Sequence, residues 1–228
     1  IQVLMDSLRQ VSTDIAHDLR TPLTHLRHKL ESVRSESASP QDYAAAVDSA
    51  VGECDKLLDI FTALLRIAQI EAGARRAAFG EIDIKALVEE ARDMYGPGLD
   101  DSKHVLRVKA EPVPALRGDA QLLMQLISNL LDNAATHTPA GTEITLSCAM
   151  VGGTPKLVVA DNGPGISDSE RKNVLRRFYR CEQSRSTEGS GLGLSLVAAI
   201  AELHDATLIL AANAPGLRVE VAFPSHPA

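Results

Sequence analysis

The stretch "NLLDNAATHTPAG", residues 129–141, places two asparagines four positions apart inside an apolar run. Residues four apart share one face of a helix. A helix over residues 119–136 therefore stacks Asn129 above Asn133, while Ile127, Leu130, Leu131 and Ala134 pack its other faces. Two carboxamides on one face can offer oxygen to Mg²⁺ and NH₂ to phosphate. The plainer alternative is a pair of surface asparagines, one of them serving as a cap.

Downstream, "DNGPGI" (residues 161–166) follows the apolar run "KLVVA". A carboxylate at a strand end can accept a hydrogen bond from an exocyclic amine such as that of adenine. Gly163 and Gly165 permit positive φ and the close approach of a flat ring. Read by itself, the same stretch is an ordinary Asn-Gly turn. "GSGLGLSLV" (residues 189–197) then feeds Gly189, Gly191 and Gly193 into a helix start, where free N–H groups and the helix dipole suit phosphate. The spacing is not that of a P-loop, which needs Gly-Lys-Ser/Thr, nor of a dinucleotide fingerprint in a βαβ unit.

Around these stretches the pattern predicts helices near residues 84–95, 119–136 and 193–204. Strands are predicted at "HVLRVKA", "EITLSCA", "KLVVAD", "ATLILAA" and "LRVEVAF". Mixed helices and largely antiparallel strands indicate an α+β sandwich with helices on one face of a sheet. Upstream lies "AGARRAAFG", a small-residue stretch without apolar period. It divides the chain into residues 1–73, a linker at 74–80, and residues 81–228.

The first part reads as two long helices. Over residues 4–33, Ile15, Leu19, Leu23, Leu26, Leu30 and Val33 recur at four- and three-residue steps, a core seam. "SESASPQD" breaks the pattern, with Pro40 near the next helix start. Over residues 41–71, Val47, Val51, Cys54, Leu58, Phe61, Leu65 and Ala68 form a second seam. A lone hairpin cannot bury both seams, so dimerisation into a four-helix bundle is expected.

Within the first helix, "AHDLRTPL" (residues 16–23) sets His17 well off the seam, with Asp18 beside it and Thr21 one turn on. Pro22 lacks an N–H and crowds the carbonyl of Asp18, which bends the helix. An exposed imidazole is a usable nucleophile near pH 7, and a neighbouring carboxylate can orient it and take up its proton. A surface histidine before a chance kink is the alternative. His25 and His28 share a helix face, but no third ligand accompanies them and a solvated bundle face accounts for them.

Taken together, "HDLRTPL", Asn-x-x-x-Asn, Asp-x-Gly-x-Gly, "RRFYR" and Gly-x-Gly-x-Gly resemble, in order, the H, N, first glycine, F and second glycine boxes of sensor histidine kinases of two-component signalling. The resemblance implies the Bergerat (GHKL) ATP-binding fold after the helical hairpin. It implies that ATP phosphorylates His17, with Asp18 assisting, and that the phosphoryl group passes to an aspartate of a response regulator receiver domain. Thr21 is implied to help in dephosphorylating that regulator. Asn133 is implied to ligate Mg²⁺ and Asn129 to support metal and phosphates. Asp161 is implied to bind the adenine amine, with Gly163 and Gly165 shaping its pocket. Gly189, Gly191 and Gly193, with Leu192, are implied to close over the phosphates. The segment between Phe178 and Gly189 is the implied mobile lid, and Arg180 stands where the family often has an arginine near the γ-phosphate.

The chain departs from that pattern in two places. Thr136 stands where Lys or Arg is usual, and Asp205-Ala206 where Gly-Gly is frequent. Two other readings compete. A hydrolysing ATPase of the same fold uses a glutamate on the N-box helix to activate water, whereas here Asp132 and Ser128 precede the two asparagines. A scaffold with a decayed ATP site has only Thr136 in its favour.

Bulk properties agree with an ordinary globular protein. The 228 residues are 45% hydrophobic and 23% charged, and the net charge of −7 argues against a dedicated nucleic-acid binder. With 3% aromatics and no Trp, the cores must be aliphatic. Cys54, Cys148 and Cys181 are scattered and odd in number, so a disulfide framework or zinc site is not expected and a reducing cytosol fits. No apolar run reaches the roughly 18 residues of a membrane span. The resemblance implies a cytoplasmic portion of a protein anchored in the bacterial inner membrane, with Ile1 following a linker from a membrane span.

Overall fold

The computed structural model describes residues 23–24, 27–28, 30–31, 39–71, 79–181 and 191–225. His17, Asp18, Thr21 and Gly189 lie outside them, as do most of the first predicted helix and residues 182–190. Two compact units divide the chain, Ile1–Ala72 and Gly73–Ala228.

In the first unit, α1 spans Pro40–Glu71. Proline at a first helical position loses nothing, because that N–H has no intrahelical partner. Leu64, Ile67 and Ile70 are buried. The four-three seam predicted from the sequence is a different stripe, and in a single chain it faces outward. Val47 and Val51 are each 56% exposed and Leu58 63%, with Phe61 and Leu65 above 40%. Leu23 and Leu30, from the first predicted seam, are exposed as well. The heptad spacing located an apolar stripe correctly but not what covers it, because periodicity carries no information on which chain supplies the other side.

The second unit is built on β1 (Gly80–Ile82), α2 (Ile84–Asp101), β2 (Val105–Ala110), β3 (Leu116–Gly118), α3 (Ala120–His137), β4 (Glu143–Val151), β5 (Thr154–Asp161), α4 (Asp168–Arg171), α5 (Gly193–Leu203), β6 (Thr207–Ala212) and β7 (Leu217–Ala222). Five strands form one sheet in the order β2-β4-β5-β7-β6, parallel only between β2 and β4. Alternate residues of β4 are buried as far as Cys148 (Ile144, Leu146 and Cys148), and β5 is buried through Leu157–Asp161 at the centre of the sheet. Against that face lie α3, through Leu123, Leu126, Ile127 and Leu131, and α5, through Val197 and Ile200.

Local chemistry fixes the helix ends. Asp83 and Asp119 are side-chain caps. Asp83 Oδ1 accepts from Lys85 and Ala86 N–H, and Asp119 Oδ1 accepts from Gln121 and Leu122 N–H at 3.0 and 3.2 Å. The second helix continues past the predicted end near Tyr95 and through Pro97, because Leu99 beyond it is buried and holds the last turn to the core.

Two short strands were not foreseen. β1 and β3 form an antiparallel ribbon, Gly80 opposite Gly118 and Ile82 opposite Leu116. Three-residue strands carry too little period to be read. Phe79 and Gly80, taken from the sequence as the end of the linker, belong to this ribbon region. The Phe79 ring stacks on buried His204 at 4.8 Å between centroids. His204 Nδ1 faces the Ile200 carbonyl at 2.8 Å, and Nε2 accepts the Asp119 N–H at 3.0 Å. A Cβ at Gly118 would fall 2.5 Å from this ring, so the turn needs glycine for close approach.

Candidate nucleotide site

One cavity of about 560 Å³ opens between α3, the turn after β5, residues 174–181 and the start of α5. Asn129, Asn133, Asp161, Gly165, Arg180, Gly191 and Gly193 all line it. Of the other described site residues, Gly163 and Leu192 do not. Leu192 is buried in the core as the residue preceding α5, and Gly163 sits behind the wall.

Asn129 and Asp161 are held in place by hydrogen bonds. Asn129 donates an Nδ2 hydrogen to the Gln125 carbonyl at 2.8 Å, which fixes the carboxamide. A Cβ at Gly193 would stand 3.5 Å from Asn129 Oδ1, so that oxygen faces the glycine-rich helix start. Asp161 ends β5 with 7% exposure. Its Oδ1 accepts N–H bonds from Gly163 at 2.9 Å and Leu217 at 3.3 Å, while Asn213 donates to its backbone carbonyl at 2.7 Å. Gly216, at φ 112°, passes so close that a Cβ there would overlap the Asp161 carbonyl. The carboxylate is therefore held from several sides in one orientation.

At the other end of the cavity, Phe178 N–H donates to the Gly191 carbonyl at 3.0 Å. Gly191 adopts φ 71°, and a Cβ there would meet the Phe178 backbone at 3.0 Å. This pins together the two chain segments that enclose residues 179–190. The first α5 bond runs from Leu196 N–H to the Leu192 carbonyl, so the N–H groups just before it have no intrahelical acceptor. Gly193 and Leu194 of that turn line the cavity.

The lining also holds groups the sequence did not single out as ligand contacts. Burial pushes the Asp132 carboxyl up. His137 is pushed down by burial and by the nearby Arg180 charge. Thr136, Thr138, Glu170, Tyr179 and Cys181 complete the polar part of the wall. Asp132, His137 and Thr138 lie in the stretch 129–141, and Tyr179 and Cys181 in and after "RRFYR", whereas Glu170 had no sequence signal.

Donors at a helix start, two aligned carboxamides and a fixed carboxylate around one cavity fit a nucleotide polyphosphate and its metal. Comparison with known proteins then decides the family. Residues 118–227 match the family described as histidine kinase-, DNA gyrase B-, and HSP90-like ATPase, and residues 7–73 match the His Kinase A (phospho-acceptor) domain. The chain belongs to the sensor histidine kinases.

It carries that family's catalytic core, a phospho-acceptor domain followed by an ATP-binding domain. Sensor protein IrlS of Burkholderia pseudomallei is 33% identical over 97% of this chain and 48% of its own length. Signal transduction histidine-protein kinase BaeS of Escherichia coli is 32% identical over 95% of this chain and 46% of its own. The kinase chain described here thus spans about half the length of these relatives. Acinetobacter baumannii histidine kinase AdeS shares the fold, with a TM-score of 0.72, 23% identity, and coverage of 92% of this chain and 98% of that one.

Against the family pattern, the Asp205-Ala206 departure is accommodated in the backbone. Asp205 adopts φ 53°, the conformation glycine favours, and Ala206 N–H donates to the Ala201 carbonyl at 2.9 Å to close the helix end. The histidine kinase turn is kept without the glycine.

Proposed function

We propose that this histidine kinase core transfers the γ-phosphoryl group of ATP to His17 and from there to an aspartate of a response regulator. The observation that carries the reading is the shared cavity of Asn129, Asn133, Asp161, Arg180, Gly191 and Gly193. Bound ATP supplies the phosphoryl group, and Mg²⁺ offsets its charge.

The chain's own groups bind and orient. Asp161, with Oδ1 already engaged by two backbone N–H groups, presents its remaining acceptor capacity to the adenine amine. Asn133 gives its carboxamide oxygen to the metal, and Asn129, tied back to Gln125, supports metal and phosphates. A single amide ligand suits Mg²⁺, which is bound mostly through phosphate and water oxygens. Gly191 and Gly193, with Gly189 in the same glycine box, let backbone N–H groups approach the phosphates, and Leu192 anchors that loop in the core. Gly163 and Gly165 shape the base pocket. Arg180 faces the terminal phosphate, where its charge matters most as negative charge spreads in transfer.

His17 attacks in line through a ring nitrogen, and Asp18 orients the ring and takes its proton. Thr21 holds a water for attack on the regulator's phosphoaspartate, which gives the protein a phosphatase activity on its partner. The exposed α1 stripe (Val47, Val51, Leu58, Phe61 and Leu65) is covered by the same stripe of a second copy, making a homodimeric four-helix bundle. The core works on the cytoplasmic side of a membrane-anchored protein. Among the described residues no helix is long and apolar enough to cross a membrane. The domains are residues 1–73 for dimerisation and phosphotransfer, a linker at 74–80, and residues 81–228 for catalysis.

Incubation with labelled ATP and Mg²⁺ tests the reading. Acid-labile, base-stable label on the protein is expected. Release of free phosphate with no protein label would instead indicate a hydrolysing ATPase.

A further inference from the structure

His104 belongs to none of the motifs, yet it is only 4% exposed and both ring nitrogens are engaged. Buried polar groups so fully partnered hold a particular arrangement in place. His104 sits between α2 and β2. Its Nε2 lies 3.1 Å from the Thr138 hydroxyl and 3.3 Å from the Thr138 carbonyl. The Thr138 hydroxyl donates its one hydrogen to the Ala134 carbonyl at 2.7 Å, so toward His104 it can only accept. Nε2 therefore carries the ring hydrogen. Nδ1 lies 3.0 Å from the Ser102 hydroxyl. The Ser102 hydroxyl donates to the Leu99 carbonyl at 2.9 Å, and the same carbonyl accepts the His104 backbone N–H at 2.8 Å.

Thr138 lines the nucleotide cavity. Its methyl fills the space a side chain at 163 would need: a Cβ there would lie 2.6 Å from Thr138 Cγ2 and 3.1 Å from Asp161 Oδ1. Thr138 and Asp161 thus flank Gly163 from two sides. A shift of Thr138 moves the turn whose Gly163 N–H orients the Asp161 carboxylate. Backbone bonds on both sides, Gly141 N–H to the Lys103 carbonyl at 2.7 Å and Val105 N–H to the Thr142 carbonyl at 3.0 Å, bring the two loops together, and the Thr138 hydroxyl is held between the Ala134 carbonyl and His104.

We propose that His104 is a positioning residue of the nucleotide site, setting Thr138 through its Nε2–H so that the Asp161–Gly163 turn is seated for the base. The proposal rests on the reading of the cavity as an ATP site, and its test keeps the two separable. The full chain is used, with ATP affinity measured by calorimetry and the Gly163 amide followed by NMR without nucleotide. H104N keeps a group near Ser102 but cannot reach Thr138, whereas H104Q carries an amide N–H to about the position of Nε2.

Loss of one hydrogen bond that orients the site should weaken ATP binding about tenfold in H104N. The Gly163 resonance should be displaced, and H104Q should recover most of both. T138V, which keeps the methyl, should weaken binding less, and H104N/T138V should be no weaker than H104N alone. Should H104N fail to fold, T138V carries the test in its place. Wild-type affinity and an unmoved Gly163 resonance in H104N, or in T138V where H104N does not fold, overturn the proposal. So does H104Q binding as poorly as H104N. A wild-type chain that does not bind ATP overturns the nucleotide reading, while the Gly163 resonance still reports on His104.

Discussion

At Asp161 the carboxylate is oriented by the protein's own groups, by two N–H groups on one oxygen and by a backbone locked against Gly216. Asp161→Asn keeps the shape but presents an NH₂ group where an acceptor is needed. Losing a charged hydrogen bond of about 1.5–3 kcal/mol should raise the Kd for ATP roughly ten- to a hundredfold. Calorimetry on the full chain checks this, and an unchanged Kd would mean the adenine lies elsewhere. Thr136 is the residue-scale departure from the family. It lines the cavity beside His137, in a wall that also holds the carboxylates Asp132, Asp161 and Glu170. Thr136→Lys adds a cation near the phosphates and should tighten ATP binding several-fold, about 1 kcal/mol, with the gain shrinking as salt is raised. A gain that salt does not diminish would mean the lysine acts by something other than charge.

Elements were legible where their chemistry is local. The third helix was bounded to within a residue because Asp119 caps it and its apolar positions recur every three and four residues. Of the five sheet strands, those half-buried were found by their alternation and β5 by its short continuous apolar run. The ribbon of β1 and β3 was not, since three residues have no period and their pairing joins segments far apart in the chain. Nor was His104 visible as part of the site, because its partner Thr138 is 34 positions away. Two predictions belong to this scale. Lys103 holds φ 61° just past the end of the second helix, so Lys103→Gly should relieve roughly 0.5–1 kcal/mol and raise the Tm by about 1–4 °C. A lower Tm would contradict the assignment of strain there. On the sheet, Lys156 reaches Glu220 at 2.5 Å and Arg218 reaches it at 3.2 Å. The Lys156 hydrogen bond above all, with Arg218 adding, holds the Glu220 carboxyl below its usual range against the opposing effect of burial. A depressed carboxyl stabilises the fold above its unfolded-state pKa, and that contribution disappears as pH falls through the folded-state value. Denaturation of wild type and Glu220→Gln should therefore differ at pH 7 by about 1–2 kcal/mol. The difference should shrink below the ordinary value of 4.5. A difference independent of pH would assign the effect to packing.

For the whole molecule, the sequence separated a helical unit from an α+β unit, and the structure divides the chain between Ala72 and Gly73. What a single sequence could not convey is which apolar stripe is satisfied within one chain. Val47, Val51 and Leu58 stand more than half exposed, and an apolar stripe of that length is costly in water. A fragment of residues 1–73 should therefore dimerise by light scattering, and one of residues 79–228 should be monomeric. A monomeric first fragment would remove the bundle. The most direct test of the central claim is the site of phosphorylation itself. After incubation with ATP and Mg²⁺, mass spectrometry should place one phosphoryl group on His17, and His17→Gln should lose it while binding ATP with nearly unchanged affinity. Phosphate mapped to another residue, or retained in His17→Gln, would contradict the account.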